Sequence, residues 1–328
     1  MDLLALFPRE RRLKGFLFDN PSVMLAILVS YVLIAVKIGP AYMRDRKPYN
    51  IRAITRVFNI VQVIANVWYC YHSIGFVIRY CDSNRFSPIC SPPTIDQPDL
   101  PIPGDTEKLI FISTVYFYVR IADFLDTIFF VMAKKFSHIS FLHVYHHVVV
   151  VATGYVYLRS GWATSLYFIT LVNSMVHIAM YSYYLLSTFP QMRPYLWWKR
   201  YLTLMQIVQF VLVCFHMFVV LVFNCGYPAI VLQFNLTQAV LFITLFSRFY
   251  VQSYNKARRA SADNALDSTK KLLVTSHHGD ANGSCDAANG NAASSNNNNN
   301  NVNNNNMNNN HSIHSNGDHS RVKHNDTN

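Results

Sequence analysis

Three histidines, His143, His146 and His147, stand near the start of the stretch FLHVYHHVVVVATGYVYL, which runs from Phe141 to Leu158. Their spacing of i, i+3, i+4 places them on one face of a helix. Imidazoles so placed can ligate a metal, act as general base, or serve as nucleophile. One histidine in an apolar segment is usually a hydrogen-bonded core residue, but three at its mouth are hard to assign to packing. Other polar stripes accompany them. RIADFLDT sets Arg120, Asp123 and Asp126 at i, i+3, i+6, with Thr127 next. A buried ion pair that fixes packing is the plainest account of Arg120 and Asp123. NSMVHIAMYSYYLL sets Asn173 a turn before His177, Tyr181 and Tyr184. An interfacial tyrosine belt explains Tyr183 and Tyr184 but not His177. TLMQIVQ carries Thr203, Gln206 and Gln209, for which interhelical hydrogen bonding suffices. Asn59, Gln62 and Asn66 repeat that pattern earlier in the chain.

The elements that must position these groups are apolar helices. Of 328 residues, 52% are hydrophobic and only 14% charged, against about 25% charged in a soluble protein. The expected fold class is therefore an all-α integral membrane protein. Seven spans of bilayer length are expected at 22–39, 54–78, 109–133, 140–159, 163–186, 202–223 and 228–250. The net charge of +11 lies in the loops between apolar runs, which points to membrane orientation rather than nucleic acid. Arg44, Arg46, Lys47, Arg52, Lys134, Lys135, Arg193, Lys199, Arg200 and the 256–271 cations share one side. That side is expected to be cytosolic and to hold the C-terminus. No cleavable signal is expected, because charges at 9–12 precede a long apolar segment.

Three regions follow: a luminal lead at 1–21, a membrane body at 22–260, and an Asn-rich cytosolic tail at 261–328. The tail contains SSNNNNNNVNNNNMNNN and is expected to be disordered. Cys90 and Cys225 both fall in non-cytosolic loops, where they either pair or remain free thiols.

The polar groups share a depth. At 1.5 Å per residue, Asp123, His146, His177, Gln206 and Gln209 lie roughly 6–15 Å from the cytosolic ends of their spans. Burying such groups is costly, so one shared cavity is expected, opening beneath Lys134, Lys135, Arg193, Lys199 and Arg200. Those cations suit an anionic headgroup and the bilayer-embedded part suits an acyl chain, which together describe a fatty acyl-CoA. Soluble condensing enzymes use cysteine, but the cysteines here lie on the wrong side, in the tail, or, for Cys214, deeper than the polar cluster.

RIADFLDT, HVYHH, HIAMYSYY and TLMQIVQ occur in this order, and with the closing LFSRFYVQSYNKARR they resemble the signature boxes of the very-long-chain fatty acid elongases. The resemblance covers roughly 22–260. It implies seven helices, with spans two to seven ringed around an acyl tunnel in the endoplasmic reticulum membrane. It also implies a condensing activity: acyl-CoA and malonyl-CoA give 3-oxoacyl-CoA, CoA and carbon dioxide. His146 is then expected to be the nucleophile, with His143, His147, His177 and Asp123 assisting, or else the base of a direct, non-covalent condensation. Substrate contacts are expected from Arg120, Asp126, Asn173, Tyr181, Gln206, Gln209, Lys134 and Lys135. The resemblance also implies a luminal Cys90–Cys225 disulfide. No cofactor or metal is expected beyond the CoA thioester substrates, and no nucleic acid. The bilayer is a partner, and the resemblance leaves room for the other elongation-cycle enzymes and for a homodimer. Two alternatives stay open: a metal-dependent membrane lipid oxidase or hydroxylase built on the histidine box, and a non-enzymatic transporter. The chain departs from the family pattern, which more often reads Lys-x-x-Glu, at Arg120 and Asp123, and from its usual Asn at Arg248.

Overall fold

The structure is a computed structural model describing residues 10, 12–82, 105–162, 167–225 and 229–279. Cys90, most of the N-terminal lead, residues 163–166 of the fifth expected span and the Asn-rich 280–328 lie outside the described residues. Every described element is helical. Helix α1 is the short Phe16–Asp19, and α2 runs Pro21–Met43. Then follow α3 (Arg52–Asp82), α4 (Asp105–Ala122), α5 (Phe124–Met132), α6 (Phe141–Arg159), α7 (Tyr167–Ser187), α8 (Lys199–Val222) and α9 (Ala229–Gly279).

Among the described residues, five helices are long and apolar enough to cross a bilayer: α2, α3, α6, α8 and the Ala229–Tyr254 part of α9. The third expected span is helical but broken. A turn at Asp123 separates α4 from α5, where Asp126 N–H donates to the Asp123 carbonyl at 3.1 Å. The fifth is helical as α7, whose polar stripe lowers its apolar character. The long α9 continues to Gly279, past the expected boundary at 260. Residues 255–271 carry Ala, Lys, Arg and Leu without Pro or Gly, a composition that favours helix.

The faces are inverted relative to a soluble bundle. Helix α3 buries Asn59, Gln62, Asn66 and Ser73 while exposing Val57, Val61, Ile64 and Val67. Polar groups turned inward and apolar ones outward are the arrangement a lipid solvent demands.

Side-chain contacts lead from helix to helix in a closed circuit. Arg56 Nε donates to Thr188 Oγ1 at 2.9 Å, and the Tyr167 hydroxyl bonds the Ser73 carbonyl, so α3 and α7 run antiparallel in contact along their length. Tyr69 packs on Tyr116, joining α3 to α4. Phe117 packs on Tyr155, joining α4 to α6. Tyr145 donates to Gln238 Oε1 at 2.8 Å, joining α6 to α9. Phe210 stacks on Phe242, joining α9 to α8, and His216 stacks on Phe168, returning to α7. Helix α2 lies outside this circuit, against α5 and α6. There Pro40 would clash with the preceding turn of a regular helix, and a π turn at Ile34–Ile38 accommodates it. Gly39 permits the close approach, since a Cβ would sit 2.5 Å from the Ile34 carbonyl oxygen and 2.9 Å from Val131 Cγ1.

The helix ends are capped by local chemistry. Ser140 Oγ accepts the His143 N–H at 3.2 Å and starts the histidine helix. Gly161, at φ +75°, ends it, with Trp162 N–H donating to the Tyr157 carbonyl at 2.8 Å. Glu10 covers that end: its N–H donates to the Arg159 carbonyl at 2.8 Å, and its carboxylate holds Arg12 Nε at 2.9 Å. The Arg12 guanidinium holds the Glu10 carboxyl below the usual carboxylate range.

Candidate functional site

Arg120, on the last turn of α4, is 2% exposed and organises the interior. Its Nη1 contacts Asp123 Oδ2 at 3.2 Å, Asn173 Oδ1 at 3.2 Å and His177 Nδ1 at 2.6 Å. Its Nη2 donates to Asn66 Oδ1 at 2.6 Å. Tyr116, one turn earlier, donates to Asn173 Oδ1 at 3.0 Å. Only a planar guanidinium supplies this many donors from one buried point. The polar stripe of α3 is thereby explained at Asn66.

The bond from Arg120 fixes the state of His177. A guanidinium only donates, so Nδ1 accepts, and the ring proton of the neutral imidazole sits on Nε2. Asp123 Oδ2 is 3.7 Å from the same Nδ1, too long to compete for it. His177 therefore presents an N–H donor on its other nitrogen. Tyr181, fully buried, contacts Asp123 Oδ1 at 2.9 Å and Asp126 Oδ2 at 2.6 Å.

The histidine box stands beside this hub. His143 Nε2 shares a proton with Thr127 Oγ1 at 2.8 Å, and Thr127 Oγ1 shares one with the Tyr31 hydroxyl at 2.9 Å. The His143 and His147 rings lie 4.4 Å apart, centroid to centroid, and the His146 and His147 rings 5.6 Å. His147 also meets Tyr31 and Phe124 edge-on. His146 meets Phe242 edge-on at 5.4 Å, with Phe246 beyond. Among the described residues, neither His146 nor His147 has a hydrogen-bonded ring nitrogen.

The structure thus brings together Arg120, Asp123, Asp126, Asn173, His177 and Tyr181 in one hub, with His143, His146 and His147 next to it. Gln206 instead donates to Met180 Sδ at 3.7 Å, and buried Gln209 keeps Oε1 without a partner. Lys134, at φ 54°, donates through Nζ to the Arg44 carbonyl at 2.9 Å. Lys135 is exposed and lies near His138, which desolvation and the charges of Lys135 and Lys199 hold below its ordinary pKa. Cys225 is disulfide-bonded, whereas Cys70 and Cys214 are free. Among the described residues, no three His, Cys, Asp or Glu side chains are grouped so as to hold a metal ion.

Sequence reasoning passed over Tyr31, Tyr116 and the phenylalanines around His146. Tyr116 stands four residues before Arg120, so helical spacing pointed to it. Tyr31 is one tyrosine in an apolar span, with no local signal.

The helices that carry these groups fall within a stretch of the chain that is similar to known proteins. Residues 16–262 match the model of the ELO: GNS1/SUR4 family. The chain is 33% identical to a very long chain fatty acid elongase 5 of Mus musculus over 291 residues, 87% of this chain and 88% of the relative. It is 34% identical to the elongase 5 of Tachysurus fulvidraco, over 77% of this chain and 83% of that one. It is 36% identical to a very long chain fatty acid elongase of Aedes aegypti, over 76% and 68%. The hub, the histidine box and the circuit of helices that frames them are therefore those of a member of the very-long-chain fatty acid elongase family, to which this chain belongs.

Proposed function

We propose that the protein catalyses the condensing step of fatty acid elongation: a long-chain acyl-CoA and malonyl-CoA give 3-oxoacyl-CoA, CoA and carbon dioxide. The observation that carries this reading is the division of labour among four neighbouring imidazoles. His177 is committed to Arg120 through Nδ1, and His143 to Thr127 through Nε2. His146 keeps a free nitrogen and is only half-buried, so it is the nucleophile that attacks the acyl thioester. His177, fixed as an Nε2–H donor, stabilises the oxyanion or enolate that develops beside it. Arg120, itself held by Asp123, Asn173 and Asn66, keeps it in that tautomer.

The six-helix circuit supports an acyl channel between α3 and α9, with α4–α5 and α7 supplying the spans that complete a seven-helix membrane body. Lys135, Arg193, Lys199 and Arg200 are exposed and, at the open end of such a channel, would suit the phosphates of CoA. That end is cytosolic in this reading and the membrane is the endoplasmic reticulum. Cys225 is then bonded to Cys90 on the luminal side. Gln206 and Gln209 line the channel rather than the reacting centre.

The test incubates purified protein with a panel of acyl-CoAs and labelled malonyl-CoA, then weighs intact protein by mass spectrometry. Malonyl-dependent carbon dioxide release with an acyl adduct on His146 is the expected result. Turnover with unmodified protein replaces the covalent route by direct condensation, and absence of turnover removes the function.

A further inference from the structure

The Tyr181 hydroxyl lies 2.9 Å from Asp123 Oδ1 and 2.6 Å from Asp126 Oδ2, and all three side chains are buried. A phenol carries one proton, and an ionised carboxylate only accepts. With both aspartates ionised, one of these contacts would set lone pair against lone pair at hydrogen-bond distance. Both contacts are satisfied only when one carboxyl carries a proton. Asp123 faces Arg120 Nη1 at 3.2 Å, so its ionised form is paired. Asp126 has no cation in contact among the described residues, and an unpaired carboxylate buried in a helix bundle is costly. The remaining neighbours are His177 and Tyr184 on α7, Phe58 on α3, and Tyr31 on α2, which bonds Thr127 beside Asp126.

We infer that Asp126 is a carboxylic acid at rest, donating to Tyr181 while Tyr181 donates to ionised Asp123, and that this stored proton is the one consumed in the second half of the condensation. The protonation state stands on the geometry alone, whereas the supply role rests on the condensing reading above. In acylation, a His146 nitrogen attacks the thioester carbon, the C–S bond breaks, and the imidazole N–H proton leaves on the thiolate as CoA thiol. In transfer, the malonyl C–C bond breaks and carbon dioxide departs. The electron pair remains on the methylene carbon, which attacks the acyl carbon and forms the new C–C bond. The imidazolide released must take up one proton. Asp126, Tyr181 and Asp123 lead toward it as far as His177: Asp123 Oδ2 is 3.7 Å from His177 Nδ1, and the proton crosses once Arg120 Nη1, which also holds Asp123 and Asn173, releases that nitrogen. Imidazole can accept on one nitrogen and release from the other. Water replaces the proton between turnovers. Asp126 is thus a positioning and relay residue that need not touch substrate.

Infrared spectra of the full-length detergent-solubilised protein at neutral pH, in H2O and D2O, test the first part. The expected result is a carboxylic-acid carbonyl band that shifts in D2O, is lost in Asp126→Asn and persists in Asp123→Asn. A wild-type spectrum without the band, or a band surviving Asp126→Asn, overturns the assignment. If Asp126→Asn does not fold, Tyr181→Phe serves: the band must move on losing its phenol partner, and an unmoved band overturns the link. Rapid-quench kinetics test the supply role, with CoA release from acyl-CoA alone as the first half and malonyl-dependent product as the second. In Asp126→Asn, or in Tyr181→Phe in its place, the ratio of second-half to first-half rate falls at least about tenfold. Equal slowing of both halves overturns the supply role. If wild type releases no CoA before malonyl-CoA is added, the acyl-enzyme reading and the supply role fall together, and the infrared bands still decide the proton's place.

Discussion

The hub around Arg120 and the histidine box on α6 are neighbours built on opposite principles. In the hub, Arg120, Asp123, Asp126, Asn173, His177 and Tyr181 all carry a hydrogen-bond or ion-pair partner. In the box, commitment falls away along the helix: His143 is bonded to Thr127, while among the described residues the rings of His147 and His146 make ring contacts without a hydrogen bond. A satisfied buried network is rigid and hard to change. A nitrogen left free inside such a frame is available for bond making. The difference separates residues that hold from residues that react, and it is a distinction that residue type alone does not draw, since His177 and His146 are both histidines.

His146→Ala should break the comparison most sharply, lowering malonyl-dependent carbon dioxide release by about 10²-fold or more. Its melting temperature should stay near wild type, because only ring contacts are lost. Arg120→Met should do the reverse. It leaves Asp123 buried without its cation and frees His177, costing about 3–5 kcal/mol of stability. Thermal unfolding in detergent reads this, and Arg120→Lys should recover only part of it, because an ammonium has three donors and no planar fork with which to reach the four partners Asp123, Asn173, His177 and Asn66. Thr127→Val tests the border between the regions. It cuts the Tyr31–Thr127–His143 chain at a cost of about 1 kcal/mol, and kcat should fall by more than KM changes. The smallest effect belongs to the ion pair at the far end of α6. The Arg12 side chain is 38% exposed, so Glu10→Gln should cost well under about 1 kcal/mol. Because the Glu10 carboxyl is held below its ordinary range, its contribution is present at neutral pH and lost as pH falls through the carboxylate range. The wild-type advantage in melting temperature should shrink on acidification, and an advantage that grows would refute the assignment.

Much of this was legible before any coordinates. The i, i+3, i+4 spacing of the box and the polar face of α3 follow from helical periodicity, which the structure respects. The third span was legible as apolar but not as broken, because a single tightened turn at Asp123 leaves no compositional trace. Partner identity was the least visible. Asn66 was recognised as buried and polar, yet that its oxygen meets Arg120 depends on how α3 and α4 lean together. The role of Lys134 as a tie to the Arg44 carbonyl arises from a left-handed backbone position that lysine rarely adopts. Helix α9 runs on to Gly279 because the residues that precede the Asn-rich run are helix formers.

The first long helix takes no place in the six-membered circuit, yet Tyr31 reaches from it to the hydroxyl that steadies His143. A shortened chain beginning after residue 43 would keep the helices of the circuit and all four imidazoles, and would nonetheless present a histidine whose support had been cut. What looks like a mere anchor at the periphery is thus a remote brace for the chemistry, and its loss would register in turnover before it registered in membrane insertion.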